Sequence, residues 1–191
     1  MVKIGNAQRL SDGRWVESGI LVEDKQSIRW LNKQYFSTLD LQHMSTRELY
    51  NEGDLLKDHD SPDLAKLIYD EVQKRGESGI MFSLAPKLTS CYRLWKKPET
   101  AISLYDAWKA EYGERRFERE FLSHALLTSV AMAYCDLADQ ETGEIAKQNY
   151  IKSKQFCDRA YKMLMKNNSS MVYELNLAYA RLRNRASWLF E

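Results

Sequence analysis

One pattern in the chain recurs: Ala65, Tyr69 and Val72 are echoed thirty-six residues later by Ala101, Tyr105 and Trp108. The spacing i, i+4, i+7 puts all three side chains on one face of a helix. A fixed return of such a face marks stacked helix pairs, because a single pair buries its apolar stripe only against its neighbours. The echo therefore specifies architecture first and chemistry, if any, second.

Composition sets the outer bounds. The 191 residues suffice for one sizeable domain, or for a domain with an appendage, without disulfide or metal staples. Lys and Arg number 28 against 27 Asp and Glu, so no global field selects a polyanion partner, and 44% apolar residues exclude a disordered chain. Charge is nonetheless uneven, with five basic and nine acidic residues in 45–80 but eight basic and three acidic in 152–191. Cys91, Cys135 and Cys157 are odd in number, far apart and on apolar-periodic stretches, with no secretory leader ahead of them, which predicts a reducing, cytoplasmic setting. Charged residues interrupt every hydrophobic run, so no membrane span is expected. The sequons beginning at Asn167 and Asn168 read as a polar turn between helices.

Residues 1–42 differ from the rest. Asp12-Gly13 is a turn signal between flanks of some β character, and Ile20-Leu21-Val22 is a short β-favouring run, so a small hairpin or an extended arm is expected. The set Ile28, Trp30, Leu31, Tyr35 and Phe36 fits neither period and reads as extended or irregular. Helical character begins at Ser45, where Ser45-Thr46-Arg47-Glu48 forms a capping box. Pro62 suits the first position of a second helix, which Gly76 closes. The next pair carries Leu84, Leu88, Cys91, Tyr92 and Trp95 on one helix and Ala101 to Tyr112 on the other, ended by Gly113. Pro86 either starts the first of these or kinks it. A third pair spans Phe117 to Leu137 and Ile145 to Met165, and Val172 to Phe190 closes the chain as one capping helix. The domains are thus 1–42, an arm or hairpin, and 43–191, a helical repeat.

These residues resemble the tetratricopeptide repeat family, whose helix-turn-helix unit is about thirty-four residues long. Gly53 stands at the small position of the first helix, with Ala65 and Tyr69 at the small and aromatic positions of the second. Tyr92, Ala101 and Tyr105 match in the next unit, where Thr89 replaces the small residue. Ala131 and Tyr134 match in a third, degenerate unit, followed either by Ala146 and Tyr150 or, in a second register, by Cys157 and Tyr161. The likeness covers 45–166 and lacks the family's terminal proline. It implies a mainly α fold, a TPR-like superhelix of about three helix pairs plus a capping helix, and a concave groove that binds a peptide or protein. Tyr50, Asp54, Lys87, Arg93 and Ser129 are the expected groove residues. Only Lys87 matches the family's carboxylate clamp, so that clamp is not expected here.

The chain offers little for catalysis. His59 stands among Asp58, Asp60 and Asp63, but the spacing matches no metal motif, and a solvated turn is the simpler reading. No phosphate-cradling glycine loop or nucleophile elbow is present, and the cysteines read as small buried hydrophobes. No enzyme, metal or cofactor is expected. The expected function is that of a non-enzymatic adaptor, scaffold or regulatory subunit. The alternative is a nucleic-acid-associated protein using Lys96, Lys97, Arg181 and Arg185. Trp188, Leu189 and Phe190 form an apolar tip suited to docking or homo-oligomer contact.

Overall fold

The N-terminal strands exist because tight turns punctuate short β-favouring runs. In the computed structural model of the chain, which describes residues 2–77, 79–166 and 173–191, β1 (Val2–Ile4), β2 (Ala7–Arg9), β3 (Trp15–Glu17) and β4 (Ile20–Leu21) form one antiparallel sheet in that order. Gly13 at the Asp-Gly turn takes φ +87, a conformation open to glycine and costly for most other residues. The element is thus a four-stranded meander, more than the single hairpin or arm expected. Its register pairs Val2 and Trp15 with Arg9, and Ile4 with Ala7. These side chains therefore share one face, and Ala7, Trp15, Leu31 and Tyr35 form its core.

Leu31 and Tyr35 come from α1 (Lys25–Phe36), which corrects the expectation of extended or irregular chain here. The periodicity is hidden because Trp30 is exposed while the polar Asn32 is buried. Asn32 is accommodated by hydrogen bonds: its Oδ1 accepts from Trp15 Nε1 at 2.8 Å, and its Nδ2 donates to the His59 carbonyl at 2.9 Å and Ser61 Oγ at 3.0 Å. Asp24 caps the helix by accepting from the Ser27 amide.

The capping box at Ser45 and Glu48 starts α2 (Thr46–Asp58) as its sequence signature requires. Pro62 opens α3 (Pro62–Arg75), and Gly76 ends it in the left-handed conformation. Ser61 is no cap, since its hydroxyl turns toward Asn32. Gly53 lets α2 and α3 approach closely: a Cβ there would lie 2.5 Å from the Tyr69 ring. A buried charge pair joins β2 to α2, with Arg9 Nη2 and Nη1 donating to the two Glu52 oxygens at 2.6 and 3.1 Å. Tyr35 donates its hydroxyl to the same carboxylate at 3.1 Å, and Arg9 lies 4.1 Å over the Tyr35 ring.

The chain divides into two compact units, Met1–Glu77 and Ser78–Glu191. The pair α2–α3, expected to open the repeat domain 43–191, thus shares a unit with the sheet and α1. The second unit holds α4 (Ile80–Leu94), α5 (Pro98–Tyr112), α6 (Glu114–Glu120), α7 (His124–Ala138), α8 (Gly143–Lys166) and α9 (Tyr173–Arg185), then a 3₁₀ turn at Ser187–Leu189. Helix α4 runs through Pro86 instead of starting there. The expected helix from Phe117 to Leu137 is two helices at 109°, because Ser123 caps α7 by accepting from the Leu126 amide. Helix α7 packs against α4, α5, α8 and α9 and is the centre of this unit. Asn167, Asn168 and Val172 lie outside the described residues.

Removing one partner of a buried ion pair strands the other. Glu52→Gln is expected to destabilise the Met1–Glu77 unit by about 3 kcal/mol, measured as a lowered midpoint in urea denaturation followed by circular dichroism.

Candidate functional site

Helices α4, α7 and α9 each bring charge to one chain of contacts. Arg181 on α9 donates from Nη1 to Asp136 Oδ1 at 2.6 Å and from Nη2 to Asp139 Oδ2 at 2.7 Å. These are two charge-assisted bonds at near-ideal length, on two carboxylates one helical turn apart at the end of α7. Tyr150 of α8 donates its hydroxyl to Asp139 Oδ1, and Arg185 Nε stands 3.8 Å from the same oxygen. Asp136 has its second oxygen turned toward α4, where Arg93 Nη1 lies 3.6 Å away. The order across the unit is therefore Arg93, Asp136, Arg181, Asp139, with Tyr150 and Arg185 at the far end.

The electrostatics follow from these partners. Burial alone raises the Asp139 carboxyl, but the bonds from Arg181 and Tyr150 outweigh it and hold it below the usual aspartate range. Burial and the Asp139 carboxylate push the Tyr150 phenol up to about 12. Burial likewise works against the Arg181 charge, and Asp139 and Asp136 more than restore it.

Of the expected groove residues, Tyr50 and Asp54 stand on α2 in the first unit, while Lys87 and Arg93 on α4 and Ser129 on α7 stand in the second. Tyr50 packs its ring 6.2 Å from that of Tyr69, whose hydroxyl donates to Asp54. Lys87 is half-buried, and Ser129 donates its hydroxyl to the Pro86 carbonyl at 3.4 Å. Only Arg93 joins the charged chain. Of the residues considered for nucleic acid, Arg181 and Arg185 face carboxylates, Lys97 lays its ammonium 3.4 Å over the Trp95 ring, and Lys96 takes a left-handed φ of 62 in the α4–α5 turn. Asp136 and Asp139 did not stand out in the sequence. The signal that finds them is their spacing of three residues, matched by Arg181 and Arg185 at four.

The tip at Trp188, Leu189 and Phe190 folds back on its own unit. Phe190 packs edge-on to Tyr179, with Lys154 and Arg183 over its ring. Trp188 remains 40% exposed and walls a shallow depression of about 450 Å³ with Ala146, Lys147 and Tyr150. His59 ties loops instead of meeting its acidic neighbours, its Nε2 lying 2.8 Å from the Asp12 carbonyl oxygen. Among the described residues, no three His, Cys, Asp or Glu side chains converge as metal ligands do, and no single helix is long and apolar enough to cross a membrane.

Comparison with protein-family models, with curated proteins and with solved structures gives no match for this chain. What it does rests on its own geometry.

Two expectations follow. A carboxyl whose pKa is depressed by folding adds stability that is complete above the unfolded value, about 4, and is lost as pH falls through the lower folded value. Asp139→Asn is expected to cost about 1–3 kcal/mol at pH 7, and to flatten the loss of stability below pH 4, read from denaturation midpoints at successive pH values. The three thiols are buried, and burial pushes Cys157 up to about 12 and also raises Cys135. A thiol-specific chromogenic reagent at pH 8 is expected to leave the folded protein unmodified and to titrate all three groups in denaturant.

Proposed function

We propose that this chain is a non-enzymatic protein–protein interaction module, an adaptor, scaffold or regulatory subunit, built on a TPR-like helical array. The observation that carries the reading is the packing order of Ser78–Glu191. Helix α7 lies against both members of the preceding pair, α4 and α5, and α9 lies against both α7 and α8. Each incoming helix thus seats on the whole of the pair before it, which is how a stack buries faces that a lone pair leaves open. Helices α4 and α7, each the first of its pair, and α9 after them then contribute the linked side chains Arg93, Asp136 and Arg181. A surface assembled from several repeats suits an extended partner better than a small molecule.

The ion pairs favour this reading over nucleic-acid contact. Binding to a phosphate backbone draws on cations that exchange small counterions for phosphates. Arg181 and Arg185 already face Asp136 and Asp139, and Lys97 is engaged by Trp95. Three buried free cysteines accord with a reducing, cytoplasmic setting.

Affinity capture of the intact protein from native lysate, with and without nuclease, tests the reading. A stoichiometric protein that survives nuclease is the expected result. Loss of every bound protein on nuclease treatment overturns it in favour of nucleic-acid association.

A further inference from the structure

We propose that the Arg93 side of α4, α7 and α9 receives an acidic, partly apolar segment of a partner protein, one of whose carboxylates seats on the Arg93 guanidinium. The inference rests on the protein-binding reading and names the chemistry of the partner.

The charges along this side do not balance. Arg93, Arg181 and Arg185 meet two carboxylates, Asp136 and Asp139, which leaves one positive charge over. Among the described residues two of the three guanidiniums lack a short bond: Arg185, 3.8 Å from Asp139 Oδ1 but 62% exposed and so served by water, and Arg93, which is far less exposed. Arg181 has a carboxylate oxygen at hydrogen-bond distance on each terminal nitrogen, 2.6 and 2.7 Å. Among the described residues Arg93 has only Asp136 Oδ2 at 3.6 Å, beyond hydrogen-bond reach. Its Nε is sealed from solvent and meets no acceptor among the described residues. Asp136 Oδ1 is held by Arg181, and only its Oδ2 faces Arg93. A guanidinium is a planar fork of five donors, always charged, and one edge of this fork gains nothing from water. The side chain is still 21% exposed, so an incoming carboxylate can reach the terminal nitrogens and engage them together.

The surroundings decide which anion fits. Met132 stands one turn before Asp136 on α7, and Leu177 one turn before Arg181 on α9, so both share the faces that carry the charges. Leu177 is 48% exposed. A carboxylate with an apolar neighbour in the same segment meets both features. A nucleic-acid backbone instead presents evenly spaced phosphates, and beyond Arg93 these would come upon the paired Asp136 and Asp139.

The test uses the intact protein and a phage-displayed library of random twelve-residue peptides. Selected peptides are expected to carry Asp or Glu next to Leu, Ile, Phe or Trp. A fluorescein-labelled selected peptide should bind about tenfold more weakly to Arg93→Gln, with the thermal midpoint unchanged, because Arg93 makes no short bond within the fold. Arg116→Gln, which removes an exposed charge on α6, should leave affinity as it is. Raised salt should weaken the wild-type complex and affect Arg93→Gln less. Neutral or basic selected peptides, or equal affinity for wild type and Arg93→Gln, overturn the proposal. Displacement of the peptide by oligothymidylate at matching concentration overturns it in favour of a phosphate ligand. Capture of the same nuclease-resistant protein by wild type and Arg93→Gln would sink this site while leaving the protein-binding reading intact.

Discussion

Close approach of paired helices through small side chains is the condition on which both units depend. In Met1–Glu77 it rests on Gly53, where any Cβ would enter the Tyr69 ring. In Ser78–Glu191 it rests on the face of α7 bearing Ala131, Cys135 and Ala138, opposed on α8 by Ser153, Cys157 and Ala160. A helix can touch four neighbours at once only where its own side chains take up little room. The buried hydroxyl of Ser153 adds a second constraint, since it donates to the Ala131 carbonyl at 2.7 Å and lies 3.1 Å from Cys135 Sγ. Apolar packing alone would tolerate sliding of α8 along α7. A buried hydroxyl with one acceptor in reach does not, because a shift would leave it unpaired in the core.

Polar groups set register in the first unit too, by a costlier route. Arg9 and Glu52 are 7% and 10% exposed at the side chain, deep enough that desolvation rivals their mutual attraction. What such a pair supplies is position: two parallel bonds, a Tyr35 hydroxyl and a ring beneath the guanidinium admit one placement of β2 on α2 and α1. Trp15, Asn32 and Ser61 do the same for β3 and the α2–α3 turn. A short meander with few apolar residues of its own is held by this polar network as much as by its small core.

Features written in local chemistry were legible from the sequence. The capping box at Ser45 and Glu48, Pro62 at a helix start, and Gly76 and Gly113 at helix ends each act within a few residues, and the helices begin and stop at them. Helix α1 was hidden because tertiary bonds reverse its expected pattern, burying Asn32 and exposing Trp30. The break before α7 was hidden because Phe117, Phe121 and Leu122 are apolar and buried on both sides of a sharp bend. Arg93 stood out by charge among aromatics, whereas Asp136 and Asp139 take their meaning from Arg181, 45 and 42 residues away. No local window holds that information.

Helix α9 is docked as much by polar ties as by apolar contact. It buries little more than Leu175, Ala178 and Leu182, so its apolar face is thin. Polar ties supplement it: Tyr179 donates to Asp158 on α8 at 2.7 Å, and Arg181 reaches Asp136 and Asp139 on α7. An outer helix held this way needs few buried apolar residues of its own, and Leu177 and Tyr173 on it stay exposed. The bond from Arg181 engages Asp136 Oδ1 and leaves Oδ2 turned toward Arg93 Nη1, 3.6 Å away. Arg93 and Arg185, 3.6 and 3.8 Å from their carboxylates, are held more loosely than Arg181, and of the two Arg93 is the less exposed.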